Sequence, residues 1–155
     1  MKPIYYFLIL CISFHLFGCG GPVNNMKLEN TPESVAVNFV EALYRGDIEK
    51  ARSLELADLG SEVNNTIRKW KDKENTLDLL SKENQQMKIT VLKVSEPDHG
   101  TVFVTLQATN FVNMEDWTKR ESEQLFMMNV YKDSRNKEDE KWKVTGMVYL
   151  CPEQQ

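Results

Sequence analysis

The sequence predicts an α+β domain in which helices come first and a four-stranded antiparallel sheet follows. Two observations carry this. Apolar residues recur at helical spacing from Val35 to Leu80, then alternate at strand spacing after Gln85. The strand-like runs are divided by turn-forming or charged stretches of the kind that close hairpins. The 155 residues, 41% apolar and 10% aromatic, suit one folded domain and exclude a wholly disordered chain. Nineteen Lys and Arg against 23 Asp and Glu leave a net charge of −4, without the basic excess of an electrostatic nucleic-acid binder.

Thr31-Pro32-Glu33 reads as a helix start. The Thr hydroxyl accepts from a free backbone N–H, Pro suits the first turn, and Glu suits the positive helix end. Val35, Phe39, Val40 and Leu43 supply the apolar stripe, and Gly46 stops the helix. Asp47 is expected to cap a short second helix carrying Ile48, Ala51 and Leu54. A third helical stretch carries Val63, Ile67, Trp70, Leu77 and Leu80, with a charged face of both signs that suits solvent.

Residues 87–96 predict the first strand, and 101–109 the second, with Val102, Val104, Leu106 and Ala108 on one face. Pro97-Asp98-His99-Gly100 between them has turn chemistry. Residues 110–121 form a polar connection holding Trp117. Strands three and four are expected over 122–132 and 141–150, joined by the charged run 133–140.

The first residues read as an address. Met1-Lys2-Pro3 precedes an apolar run from Ile4 to Phe17 that His15 interrupts, too short for the roughly 20 residues of a membrane-spanning helix. It ends in Leu16-Phe17-Gly18-Cys19, which resembles the lipobox of bacterial lipoproteins. Phe17 is larger than the residue usual at its position. The resemblance implies cleavage between Gly18 and Cys19, diacylglycerol on the Cys19 thiol and acylation of its freed amino group. Residues 1–18 are then the signal, 19–30 the lipidated Cys and a tether, 31–151 the domain and 152–155 a tail. As random coil, the eleven tether residues span roughly 18 Å, which keeps the domain near the bilayer. Gly20 stands after the Cys instead of the Asp that resembles an inner-membrane retention signal. The expected location is therefore the cell envelope, lipid-anchored at the outer membrane and facing the periplasm.

The segment from Thr31 to Ala51, with its Pro, apolar pair, Phe39, Ala42-Leu43, Gly46-Asp47 and Ala51, is similar to the opening of small bacterial lipoproteins of unknown function. Their nuclear transport factor 2-like, or cystatin-like, fold is a cone of helices wrapped by a curved sheet. The resemblance extends from Thr31 to about Leu150 and rests on core and turn positions. It therefore implies fold and leaves activity open, because this fold hosts isomerases, cyclases, dehydratases, immunity proteins and binding modules. Many relatives dimerise through the sheet, so a homodimer stays open.

Candidates for chemistry are sparse. His99, the one His left after cleavage, falls in a turn where exposure is ordinary, and Asp47 reads as a cap. Tyr44, Tyr131 and Tyr149 suit a cavity lining or amphipathic core positions. No metal is expected: there is no His pair or CxxC, and Met127 and Met128, adjacent on a strand, point to opposite faces. Met114 and Met147 read as core filling. Cys11 leaves with the signal and Cys19 is expected to be lipidated, so Cys151 has no partner within the mature chain and is expected to be an inert, partly buried thiol, with a bridge between chains as the alternative. Trp117, an aromatic among charged neighbours, is either a partner or pocket-mouth contact or a loop anchor.

These features favour non-catalytic binding of a small apolar ligand, a peptide or an envelope protein, with no cofactor and no nucleic acid. The rivals are an interaction or inhibitor-like lipoprotein whose cone is filled by side chains such as Phe103, Phe111, Phe126 and Trp142, and an isomerase- or cyclase-type enzyme. The last needs an acidic group or His buried inside the cone.

Overall fold

A computed structural model describes residues 30–56, 62–70, 75–112, 120–135 and 140–150; within these, the side chains of 66, 67, 69, 70 and 120–122 are outside the description. Four helices, α1 (Pro32–Tyr44), α2 (Ile48–Leu54), α3 (Glu62–Trp70) and α4 (Thr76–Glu83), precede four strands, β1 (Lys88–Val94), β2 (Thr101–Val112), β3 (Arg120–Asp133) and β4 (Lys141–Leu150). The sheet is antiparallel in the order β1-β2-β3-β4. The fold class is therefore α+β, with the helices against one face of a curved sheet. Among the described residues, no helix is long and apolar enough to cross a membrane.

Helix α1 starts where the sequence places it. Thr31 Oγ1 accepts from the Ser34 amide and Ser34 Oγ accepts from the Thr31 amide, both at 3.2 Å, a reciprocal box worth about 1 kcal/mol. Ser34, not an acidic residue, closes the box. The helix buries Val35, Ala36, Phe39, Val40, Ala42, Leu43 and Tyr44 and touches all four strands, so the sheet wraps it. Gly46 at φ 73° then turns the chain, and Asp47 Oδ1 caps α2 by accepting from the Lys50 amide at 3.1 Å.

The expected third helical stretch is two helices. Asn75 stands at φ 60° ahead of α4, a left-handed conformation that Asn tolerates. Val63 and Leu80 are fully buried, but Leu77, expected on the apolar stripe, is 43% exposed. Its carbonyl lies against Gly46, leaving 2.9 Å for any Cβ there.

On the concave face Val102, Val104, Leu106 and Ala108 alternate as predicted. Their β3 partners Val130, Met128 and Phe126 continue the layer. On β4 the layer runs Trp142, Val144, then Met147 and Tyr149. Thr145 is an extra residue between the pairs Val130↔Val144 and Asn129↔Gly146, and this bulge moves the inward set from even to odd positions. Leu92 is the equivalent extra residue on β1, between Val91↔Leu106 and Lys93↔Thr105. Bulges bend a strand and raise its twist, which suits a sheet that wraps a helix.

Strands β2 and β3 outrun their expected ends, reaching Val112 and starting at Arg120, so the polar connection is shorter than 110–121. The β1–β2 turn has the predicted chemistry: Asp98 and Thr101 exchange both backbone hydrogen bonds at 2.8 Å around His99 and Gly100, each at positive φ.

Candidate functional site

Two surfaces of the sheet are candidates, and the concave one comes first. Phe39, Val40 and Leu43 from α1 meet Val104, Leu106, Phe126, Met128, Val130 and Val144, all with no exposure. Each such side chain contributes about 1.5–3 kcal/mol by leaving water. The space between α1 and the sheet is thus occupied by the chain itself. At one end the Tyr44 ring is edge-on to Phe111 and Phe126, with centroids 5.4 and 5.7 Å away. Tyr149 lies tilted over Phe126 at 5.4 Å and is 49% exposed, the one half-open ring of this group.

Among the described residues, Glu55, Thr76 and Asn84 are the buried polar side chains. Asn84 Nδ2 donates to the Tyr44 carbonyl at 2.8 Å, and Asn84 Oδ1 accepts from the Val112 amide at 2.7 Å. Glu55 follows α2, and its backbone bridges in parallel to Val144 at the edge of β4. The amides of Glu62 and Val63, which open α3, donate to Glu55 Oε1 at 2.5 and 3.4 Å. This is anion recognition by a helix N-terminus, supplied from within the chain. Asn84 and the Glu55 Oε1 atom thus meet backbone groups.

Sequence reasoning missed both residues. Each works across many positions on partners that no local pattern marks. For Glu55 the available signal was an acidic residue shortly before a helix start.

The convex face is the second candidate. Phe103, 39% exposed, is beside Asn129, and one pair along, Thr105 faces Met127, which faces Val148, 46% exposed. Leu125, paired with Leu150 at the end of β4, lies next along this face and is buried, so the open part of the row is Phe103, Met127 and Val148. An apolar row on a face without helices differs from the polar outer face ordinary for a one-layer sheet. Phe103, expected among the residues filling the cone, belongs to this outer face, because the alternation that buries Val102 and Val104 turns it outward.

The remaining candidates stay apart. His99 is exposed on its turn, 2.6 Å from Asp98 Oδ1. Tyr131 lies beside Gly100 at that end of the sheet, far along β3 from Phe126, while Tyr44 and Tyr149 meet at Phe126. Met128 is buried inside and Met127 faces outward, so the pair diverges as expected. No cluster of three or more metal-ligating side chains occurs among the described residues. Gly18, Cys19, Met114, Trp117 and Cys151 lie outside the described residues.

No family model and no curated protein matches the chain. Two solved structures are similar to it. One is an NTF-2 like protein of unknown function from Shewanella oneidensis, 15% identical, covering 74% of this chain and 92% of its own, with a TM-score of 0.49. The other is an NTF2-like protein of unknown function from Cytophaga hutchinsonii, 12% identical, covering 81% and 93%, with a TM-score of 0.40.

Proposed function

We propose that the chain is a lipid-anchored envelope protein that acts by non-catalytic binding, and that it holds a protein or peptide partner on the outside of its sheet. The observation that carries this reading is the occupied concave side. Phe39, Leu43, Phe126 and Met128 fill it, and the buried Asn84 amide and Glu55 Oε1 meet backbone amides and a carbonyl. An isomerase- or cyclase-type reading asks for a proton-transfer group facing a cavity, and the Glu55 carboxylate instead faces the start of α3. The apolar convex row through Phe103, Met127 and Val148 offers the surface on which a partner loses apolar area to water. Cys19 is the lipid attachment site in this reading, and Trp117 remains a candidate contact.

A second reading has one observation in its favour. Tyr149, half exposed over Phe126, is a platform for a small apolar or planar ligand at the end of the concave face.

Site-specific photocrosslinking in the native envelope tests the main reading. A benzoylphenylalanine at position 103 or 148 is expected to give a discrete crosslinked product, and one at exposed Glu49 on α2 none. A product of twice the chain mass identifies a homodimer, and another mass identifies a different partner. Equal products at all three positions, or none at 103 and 148, contradict the reading.

A further inference from the structure

The point at which the chain enters the domain is pinned to one end of the sheet. Asn30 Nδ2 donates to the Glu140 carbonyl and Asn30 Oδ1 accepts from the Trp142 amide, both at 3.1 Å. Trp142 pairs with Lys132, and the Lys132 amide donates to the Gly100 carbonyl at 2.9 Å. Asn30, the start of β4, the end of β3 and the β1–β2 turn therefore share one end of the molecule. The opposite end carries the α4–β1 junction, where Asn110 Nδ2 donates to the Gln86 carbonyl at 3.2 Å.

We propose that the end formed by Asn30, the β1–β2 turn and the start of β4 faces the lipid surface, and that the α4–β1 end is presented away from it. This rests on lipidation at Cys19. Eleven chain steps separate Cys19 from Asn30, a maximum of about 38 Å at full extension. From Thr101 to Asn110, β2 alone covers about 30 Å. Turning the domain over therefore requires the connecting chain to run back along nearly the whole sheet, close to its full length, which sacrifices most of its conformational entropy. With the Asn30 end toward the bilayer, the chain needs to cover only the gap between domain and headgroups.

Among the described residues at this end, Lys132 pairs with Glu140 and Arg135 pairs with Asp133. The orientation follows from the length of the connecting chain, so it is expected on neutral vesicles as well as on anionic ones.

The test uses the full lipidated chain in vesicles carrying a headgroup-level quencher. Cys151→Ser removes the natural thiol, and one exposed fluorophore site is introduced by Ser134→Cys at the near end or Gln86→Cys at the far end. The label at 134 is expected to be quenched roughly twofold or more above that at 86, because about 30 Å of strand separates the two ends. Vesicle-bound protein with equal quenching, or stronger quenching at 86, overturns the orientation while leaving the anchor intact. Protein that fails to float with vesicles overturns the lipid anchor itself, and the orientation with it.

Discussion

The Nδ2 of Asn84 donates to the carbonyl of Tyr44, forty residues earlier, at 2.8 Å. With Oδ1 accepting from Val112 at 2.7 Å, one fully buried amide joins the end of α1, the end of α4 and the end of β2. Removing it leaves a carbonyl and an N–H buried without their partner. Asn84→Ala is expected to cost about 3 kcal/mol, the penalty of two buried unpaired groups less what relaxation recovers. Urea unfolding monitored by Trp fluorescence reads this as a lower midpoint. A change within about 0.5 kcal/mol, the range of ordinary surface substitutions, contradicts the assigned role.

Glu55 separates a structural role from a catalytic one. As the acceptor for the opening amides of α3 it acts first through an oxygen, to which its negative charge adds a smaller favourable contribution at the helix N-terminus. Glu55→Gln keeps that oxygen, while Glu55→Ala loses it and is expected to cost about 1–2 kcal/mol. Amide exchange at Glu62 and Val63 is expected to rise in the Ala variant and to change much less in the Gln variant. Equal losses in the two variants point to the carboxylate charge instead.

Gly46 is required twice over. Its φ of 73° suits glycine, and a Cβ would stand 2.9 Å from the Leu77 carbonyl oxygen. Gly46→Ala is expected to destabilise the domain by about 1–3 kcal/mol through backbone strain. Thermal melting checks this, and an unchanged midpoint shows that α4 does not pack against the α1–α2 turn.

Asp133 has a predictable titration. The Arg135 guanidinium and then the Arg135 amide donate to its carboxylate and hold it below its ordinary value of 3.8. The folded-state pKa being the lower one, the stabilisation is complete above the unfolded value. It is lost as pH falls through the folded pKa, so no dependence on this pair arises near neutrality. Carboxyl carbon shifts followed by NMR are expected to give a midpoint below 3.8, moving up toward it in Arg135→Gln. An unchanged midpoint in that variant assigns the shift to another cause.

Much of the fold was legible because its signals are local. Thr31 and Asp47 cap helices where their positions predict, and the alternation from Val102 to Ala108 names the inner face of β2. The Pro97–Gly100 turn follows from the residues that tolerate positive φ. What escaped is non-local or breaks a period. The bulge at Thr145 shifts the inward set of β4 halfway along, and its trace in the sequence was the neighbouring Gly146. The break between α3 and α4 has Asn75 at positive φ, in a polar run that reads as a solvated helix face. Phe103 was grouped with the core by its size, although its odd position beside inward Val102 and Val104 turns it to the convex face. Asn84 and Glu55 carry no motif; their roles exist only once distant segments meet.

Described side chains fill the space between α1 and the sheet, and the proposed binding therefore lies outside it. Native mass spectrometry of the full-length protein, released from detergent in the gas phase, tests this most directly. The expected result is the mass of the purified chain with any covalent modification, or of its complex with a protein partner, with no non-covalent small molecule retained. A reproducible small-molecule adduct that survives gentle activation and disappears on denaturation contradicts the filled interior and returns the site to the concave face beside Tyr149.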